Sequence, residues 1–232
     1  MSLIEIEINK LRSRAYQVVQ QLHQQLALLD ENVRLQKWSR LVEIEKLRAQ
    51  GLEGDMRLDR RCARILALHQ PVANDLRFIL AVMRMHYYVE EISERLVTIG
   101  LRLARYAPLI SSEKLQSLPL ALLVERVKRL LEICLDAFFR ADTERSKRID
   151  EEDNAVDEAY EACMELIKRS IMPYISHKEA TIWIEIALVV KALEKVADYA
   201  IDIADASIYY AEGVFYWHRF ARRLSAQSEE KN

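Results

Sequence analysis

The sequence predicts an all-α protein built from two copies of a three-helix unit. Three observations predict it. The 232 residues include only 4 Gly and 4 Pro, apolar residues recur at three- and four-residue steps along most of the chain, and one acidic pattern occurs twice. Few turn formers favour long elements, and the recurrent spacing is that of amphipathic helices. The repeated pattern indicates an internal duplication.

The first half of the chain begins with a helix that starts at Leu3. Its apolar side is marked by Ile4, Ile8, Leu11, Ala15, Val18, Leu22 and Leu29. The stretch 32–49 also has a helical pattern. Gly51 and Gly54 then predict a kink or short break, because glycine is a poor helix former. The helical pattern resumes over 55–69.

The third helix of this half is the longest. Pro71 predicts a boundary before it, since proline disfavours helix at its own position and at the preceding one. Asn74 or Asp75 is expected to cap the helix. The apolar pattern continues to about Tyr106.

The second half also contains three helical stretches. They are predicted over 120–139, 144–171 and 179–213. Pro173 marks a turn before the last of them. The domain organisation that follows is a first unit at 1–107, a connection at 108–119 and a second unit at 120–224.

Composition excludes several classes of protein. The formal net charge is −2, without the basic excess of a protein that wraps nucleic acid, so no nucleic-acid partner is expected. The cysteines Cys62, Cys134 and Cys163 are odd in number and form no CxxC motif, which predicts buried thiols in a reducing compartment. The N-terminal stretch lacks a signal-peptide core, and no apolar run approaches the ~20 residues of a membrane-spanning helix. A soluble, cytoplasmic protein is expected.

Two acidic pairs repeat between the halves. Glu90 with Glu94 corresponds to Glu194 with Asp198, 104 positions further along. Each pair interrupts an apolar helix face, where carboxylates four residues apart lie ~5 to 6 Å from each other and repel unless a cation is near. Oxygen ligands of this kind suit magnesium, manganese, iron or calcium. Pairing with Arg95, Lys191 or Lys195 at the bundle rim is the alternative.

A second set of acids is expected to complete each site from the preceding helix. Asp55 and Asp59 have the four-residue spacing in the first unit. The second unit has an acidic ladder at the same spacing: Asp153, Asp157, Glu161 and Glu165. Facing pairs from two helices would form a multidentate acidic patch. A solvated helix face explains the ladder equally well.

Four stretches of the sequence resemble the PhoU family. They are 66–100, with a QPVANDLR start leading to VEEISE; 193–213, with LEKVAD; DAFFRAD at 136–142; and EEDNAVDEAYE at 151–161. The resemblance implies two tandem antiparallel three-helix bundles with an internal pseudo-twofold repeat. It also implies iron or zinc-like cations on E/DxxxD motifs, here Asp55 with Asp59, Glu90 with Glu94, and Glu194 with Asp198.

Two departures from the family pattern concern the first unit. Ser93 and Glu94 stand in place of the usual glycine and aspartate. The longer acid shifts the ligand oxygen and costs more side-chain entropy to fix, on the order of a few tenths to 1 kcal/mol. We therefore expect the second unit, with Glu194 and Asp198, to hold metal more firmly than the first.

The resemblance also implies a function. PhoU proteins connect the phosphate ABC transporter to a membrane sensor histidine kinase and keep the phosphate-starvation response off. The expected protein is a non-enzymatic, metal-binding adaptor, with peripheral membrane association through these partners and a possible homodimer. An accessory regulator of another phosphate or ion transporter, and a metal-free helical scaffold, stay open as alternatives.

Motifs of several enzyme classes are absent from the sequence, which supports the expectation that the protein is not an enzyme. None of the five histidines has a glutamate three residues before it, as a di-iron oxidase requires. The chain has no Gly-rich phosphate loop, GxSxG or HExxH motif. The aromatic tail at 208–224 is predicted to cover a bundle end, with docking to a partner or membrane surface as the alternative.

Overall fold

The computed structural model describes residues 2–147, 149–172 and 176–215, without the side chains of Leu52, Glu53, Asp55 and Lys147. Within these residues the chain is helical and contains no strand. The α-helices are α1 (Leu3–Arg34), α2 (Glu43–His69), α3 (Ala73–Tyr106), α4 (Ser112–Ser117), α5 (Leu120–Arg140), α6 (Thr143–Lys147), α7 (Asp150–Ile171) and α8 (His177–Glu212).

The long helices form two three-helix bundles. Helices α1, α2 and α3 pack on one another, and so do α5, α7 and α8. Both α1 and α8 are preceded by a serine whose hydroxyl accepts a hydrogen bond from the backbone N–H three residues later. The glutamate at that position accepts a bond from the serine backbone N–H in return. Such capping boxes satisfy N–H groups that have no partner within the helix. The predicted all-α fold of tandem three-helix bundles is confirmed.

The two bundles meet along α3 and α8, and α1 also contacts α5. Tyr199 of α8 contacts α3 at this junction. Its hydroxyl accepts a hydrogen bond from Arg95 at 3.0 Å and donates one to Glu91 at 3.1 Å. The Tyr88 ring lies 5.7 Å from the Tyr199 ring, centroid to centroid. Buried apolar residues of both halves form one continuous core, so burial joins the two repeats.

The predicted break at Gly51 and Gly54 is wrong. Helix α2 runs through both glycines, and the chain breaks earlier, at 35–42. Gln36 adopts a left-handed conformation with φ 53°, and residues 38–42 form a 3₁₀ helix. A Cβ at position 51 would lie 2.7 Å from Gln21 Oε1. A side chain at position 51 would therefore require the end of the Gln21 side chain to move.

Other predicted boundaries have mixed outcomes. Helix α3 begins at Ala73, and no side chain caps it, so the predicted Asn74 or Asp75 cap is wrong. The expected end at Tyr106 is confirmed. Helix α8 ends before Gly213, whose φ of 74° is the left-handed conformation that favours glycine. The predicted turn at Pro173 and the tail beyond residue 215 lie outside the described residues.

Asp30 of α1 joins the two halves through charge. The carboxylate accepts a hydrogen bond from Arg34 Nε at 2.6 Å and one from Lys128 Nζ of α5 at 3.0 Å. Burial alone would raise the pKa of this carboxyl. The two hydrogen bonds outweigh burial, and the pKa is held below its usual value. Asp30 is therefore ionised and stabilising in the folded state.

We expect Asp30→Asn to lower the free energy of unfolding by about 1 to 3 kcal/mol at neutral pH, because hydrogen bonds to a charged group are lost. A carboxyl with a lowered folded pKa contributes stability above its unfolded pKa of about 3.9. That contribution disappears as pH falls through the folded pKa. Urea unfolding at neutral pH and at a pH below the folded pKa measures the difference.

The matched control is Glu125→Gln, which removes an exposed carboxylate 3.3 Å from Arg34. It should change stability by less than about 1 kcal/mol, since exposed ion pairs contribute little. A loss in Asp30→Asn that persists undiminished in acid would contradict the role assigned to the charge.

Candidate functional site

Acidic side chains from α7 and α8 face one another in the second unit. The pKa of the Asp157 carboxyl on α7 is raised above its ordinary value. Partial desolvation is the largest cause, and the negative charges of Glu194, Glu161 and Asp198 add to it. Asp157 thus lies within electrostatic range of both acids on α8. We call Asp157, Glu161, Glu194 and Asp198 the acidic cluster, because the charges of the last three all act on Asp157.

Two lysines of α8 partly neutralise this cluster. Lys191 Nζ lies 2.9 Å from Glu194 Oε2, and Lys195 Nζ lies 2.8 Å from Asp198 Oδ2. The hydrogen bond to Glu194 is the main cause of a raised pKa at Lys191. The Lys191 side chain is 60% exposed. An ion pair of such an exposed lysine is weak, about 0.2 to 1 kcal/mol, so a metal cation can displace Lys191 at small cost. The Lys195 side chain is 35% exposed, so its pair with Asp198 is partly buried.

The remaining members of the acidic ladder do not all face the same way. Asp153 is buried at 5% exposure, whereas Glu161 is exposed. Glu165 is paired with Arg169 at 3.0 Å along the outer face of α7. Asp157 and Glu161 therefore belong to the acidic cluster, whereas Glu165 lies on a solvated helix face.

A guanidinium lies beside the acidic pair of the first unit. Arg48 of α2 donates from Nε to Glu94 Oε1 at 2.8 Å, and its Nη2 lies 3.7 Å from Glu90 Oε1. Only 11% of the Arg48 side chain is exposed. An arginine fork contacts both carboxylates from a largely buried position, so it relieves the repulsion for which the sequence invoked a metal.

Uncharged polar groups fill the space next to this arginine. The buried Ser93 hydroxyl donates to Gln25 Oε1 of α1 at 2.7 Å. Gln21 and Gly51 line the same small pocket with Arg48. Compared with the second unit, the first presents amides, a hydroxyl and a guanidinium beside its acids.

Of the second predicted pair of the first unit, the structure describes only the Asp59 side chain. Asp59 Oδ1 lies 3.0 Å from Nδ1 of the buried His86. The Asp55 side chain lies outside the described part of the structure, so its predicted role stays a prediction.

Metal binding itself also stays a prediction. Among the side chains that the structure describes, no three His, Cys, Asp or Glu residues converge closely enough to hold an ion.

The three cysteines are buried and free, as predicted. Burial raises the pKa of Cys62 and of Cys163 to about 12, so these thiols are protonated at neutral pH and are poor metal ligands.

A known protein family matches most of this sequence. The sequence profile of the PhoU domain matches residues 40–103 and 120–207. This chain belongs to the PhoU family. Both acidic pairs and Arg48 lie inside the matched ranges.

Curated relatives carry the same family name. The chain is 28% identical over 170 residues to the phosphate-specific transport system accessory protein PhoU of Escherichia coli, covering 71% of this chain and 66% of that protein. It is 29% identical over 168 residues to the protein of the same name from Edwardsiella tarda, with 71% and 66% covered. The alignment thus spans slightly less than two thirds of these relatives.

Solved structures agree on the fold. The crystal structure of PhoU from Pseudomonas aeruginosa matches with a TM-score of 0.79 at 20% identity, covering 90% of this chain and 99% of that one. The phosphate transport system regulatory protein PhoU from Streptococcus pneumoniae matches with a TM-score of 0.79 at 19% identity, covering 92% and 99%.

The structure gives a physical account of the two departures from the PhoU signature at Ser93 and Glu94. Ser93, which stands where the family pattern has glycine, donates its hydroxyl to Gln25. Glu94, in place of aspartate, reaches Arg48. Both departures therefore serve contacts within the protein.

Sequence reasoning missed Arg48 and His86. A signal for Arg48 is present in the spacing, because Ile44, Arg48 and Gly51 share one helix face and the two flanking residues are buried. A cation on the buried side of a helix needs an anion from a neighbouring helix. No comparable signal marks His86, since a histidine on an apolar face is compatible with ordinary core packing.

None of the helices in the described ranges is long and apolar enough to cross a membrane.

Proposed function

We propose that this chain is an accessory regulator of phosphate transport that links the phosphate ABC transporter to a membrane sensor histidine kinase and represses the phosphate-starvation response. Membership of the PhoU family is the observation that carries the proposal. The curated relatives are named accessory proteins of the phosphate-specific transport system, which supports an adaptor role over an enzymatic one. The protein acts in the cytoplasm, at the membrane through its partners, and as a homodimer in this proposal.

The proposal includes a metal ion held by the second unit. Glu194 and Asp198 of α8 are the central ligands, and Asp157 and Glu161 of α7 face them. The raised pKa of Asp157 supports it: partial desolvation is the main cause, and the negative charges of Glu194, Glu161 and Asp198 add to it. A divalent or trivalent cation such as iron, zinc, manganese or magnesium would neutralise this charge and fasten α7 to α8.

The first unit fits a metal less well. Arg48 is largely buried and contacts both acids of the pair. Displacing it would break contacts of a side chain that is only 11% exposed, whereas the lysines of the second unit are 60% and 35% exposed and their ion pairs are weaker. The proposed occupancy is therefore confined to the second unit.

Deletion of the gene tests the function. We expect phosphate-starvation genes to be expressed at high phosphate, and complementation with the intact gene to restore repression. The readouts are a reporter under a starvation promoter and uptake of labelled phosphate. A pull-down at high and at low phosphate identifies the partners in parallel.

Three outcomes separate the alternatives. Reporter derepression together with capture of the kinase and the transporter supports the proposal. Altered uptake of another ion without reporter change would favour a regulator of a different transporter. Unchanged expression and uptake at every phosphate concentration would contradict the proposal and favour the scaffold.

A further inference from the structure

A groove between α1 and α2 is lined almost entirely by cations. We call it the arginine groove. It has a volume of about 460 Å³ and is lined by Glu7, Lys10, Arg14, Arg57, Arg60, Arg61 and Arg64. Its α2 wall consists of arginines at positions i, i+3, i+4 and i+7, which share one helix face. The two cations of α1 are four residues apart and face them.

The charge in this groove is poorly compensated. Glu7 is the only acid that lines it, and this carboxylate lies 3.1 Å from Lys10 Nζ and 2.6 Å from Arg61 Nη2. Among the residues that the structure describes, Arg14, Arg60 and Arg64 form no ion pair. Like charges at these helical spacings repel and destabilise the fold. The whole chain has a net charge of −2, so the excess is a local feature.

We propose that the arginine groove binds a small soluble anion that carries several linked phosphate groups. Five of its six cations are arginines, whose planar guanidinium matches phosphate oxygens two at a time. Cations stand on both walls of a concave groove, so they can surround a compact ligand. The proposal goes beyond the regulatory function and does not rest on the metal cluster.

Calorimetric titration of the full chain with inorganic tripolyphosphate tests the site. We expect binding that weakens as salt rises, because the contacts are ionic. Arg60→Ala/Arg64→Ala should bind tripolyphosphate at least about tenfold more weakly, since two phosphate-contacting charges are removed. Both side chains are exposed, so the thermal midpoint of this variant should not fall.

The matched control is Lys37→Ala/Lys178→Ala, which removes the same charge from exposed positions elsewhere. Lys37 follows the far end of α1 and Lys178 is in the first turn of α8. The control should bind tripolyphosphate like the parent chain. Equal loss in both variants, or no binding by the parent, would overturn the proposal.

A parallel arm uses vesicles of phosphatidylcholine with and without phosphatidylglycerol. Soluble tripolyphosphate binding that requires Arg60 and Arg64, with or without vesicle binding, supports the proposal. Vesicle binding that requires these arginines in a chain that does not bind tripolyphosphate would overturn it and assign the groove to a membrane surface.

Discussion

Alanine at both Glu194 and Asp198 is expected to remove the metal from the protein and, with it, the stability that the metal confers. That stability is about 2.7 kcal/mol when free metal is a hundredfold above its dissociation constant. In the metal-free protein the same change removes carboxylates that repel Asp157, so stability should change little or rise. Metal content by mass spectrometry and thermal unfolding with and without chelator measure both effects.

The matched variant is Glu90→Ala/Glu94→Ala. It should retain the metal, because its acids contact Arg48 instead. It should nevertheless lose about 1 to 3 kcal/mol with or without chelator, since the largely buried Arg48 loses both carboxylates. Equal metal loss from the two double variants would contradict the asymmetry between the units. Absence of metal from the parent protein would remove the metal proposal itself.

Gly100→Ala is expected to cost about 1 to 3 kcal/mol by overpacking. A Cβ at this buried position of α3 would lie 2.8 Å from the Leu41 carbonyl oxygen and 3.0 Å from Ile44 Cδ1. The carbonyl belongs to the 3₁₀ segment at 38–42 and cannot rotate away like the end of a side chain. Urea unfolding of the single variant measures the loss.

Gly54→Ala is the control with the opposite sign. This glycine also lies inside a helix, but an added Cβ would only make an ordinary contact with Gln21 Oε1 at 3.9 Å. It should gain about 0.5 to 1 kcal/mol from the better helix propensity of alanine. A stable Gly100→Ala variant would show that the contact between α3 and the 3₁₀ segment is looser than it is in the structure.

The contrast between these glycines explains which parts of the fold the sequence predicts. Apolar periodicity depends on burial of one helix face, and it correctly predicts α1, α5, α8 and the end of α3 at Tyr106. It is wrong over 32–49, where the chain breaks at 35–42, and over 144–171, where α6 ends at Lys147 and α7 begins at Asp150. The low helix propensity of Gly51 and Gly54 predicts a helix break at these residues. Packing of α2 on α1 overrides that preference. The actual break at 35–42 carries no proline or glycine, so no turn residue announces it.

The sequence also predicts one part of the candidate site and not the other. Repetition and spacing predict Glu194 and Asp198 together with acids of α7, and the charges of both α8 acids act on Asp157; their role as ligands stays a prediction. The partner of the first acidic pair was not predictable in this way. Arg48 reaches Glu94 from another helix, and contact between residues 46 positions apart depends on tertiary packing.

Anomalous X-ray diffraction from crystals of the protein loaded with manganese, iron or zinc tests the central claim most directly. The claim is that a metal ion occupies the second unit, whereas in the first unit the Arg48 guanidinium occupies the position of a metal ion beside Glu90 and Glu94. The account predicts an anomalous peak at the carboxylates of Glu194 and Asp198 and none at Glu90 and Glu94. A peak beside Glu90 and Glu94 with Arg48 displaced, or no peak at either pair, would contradict it.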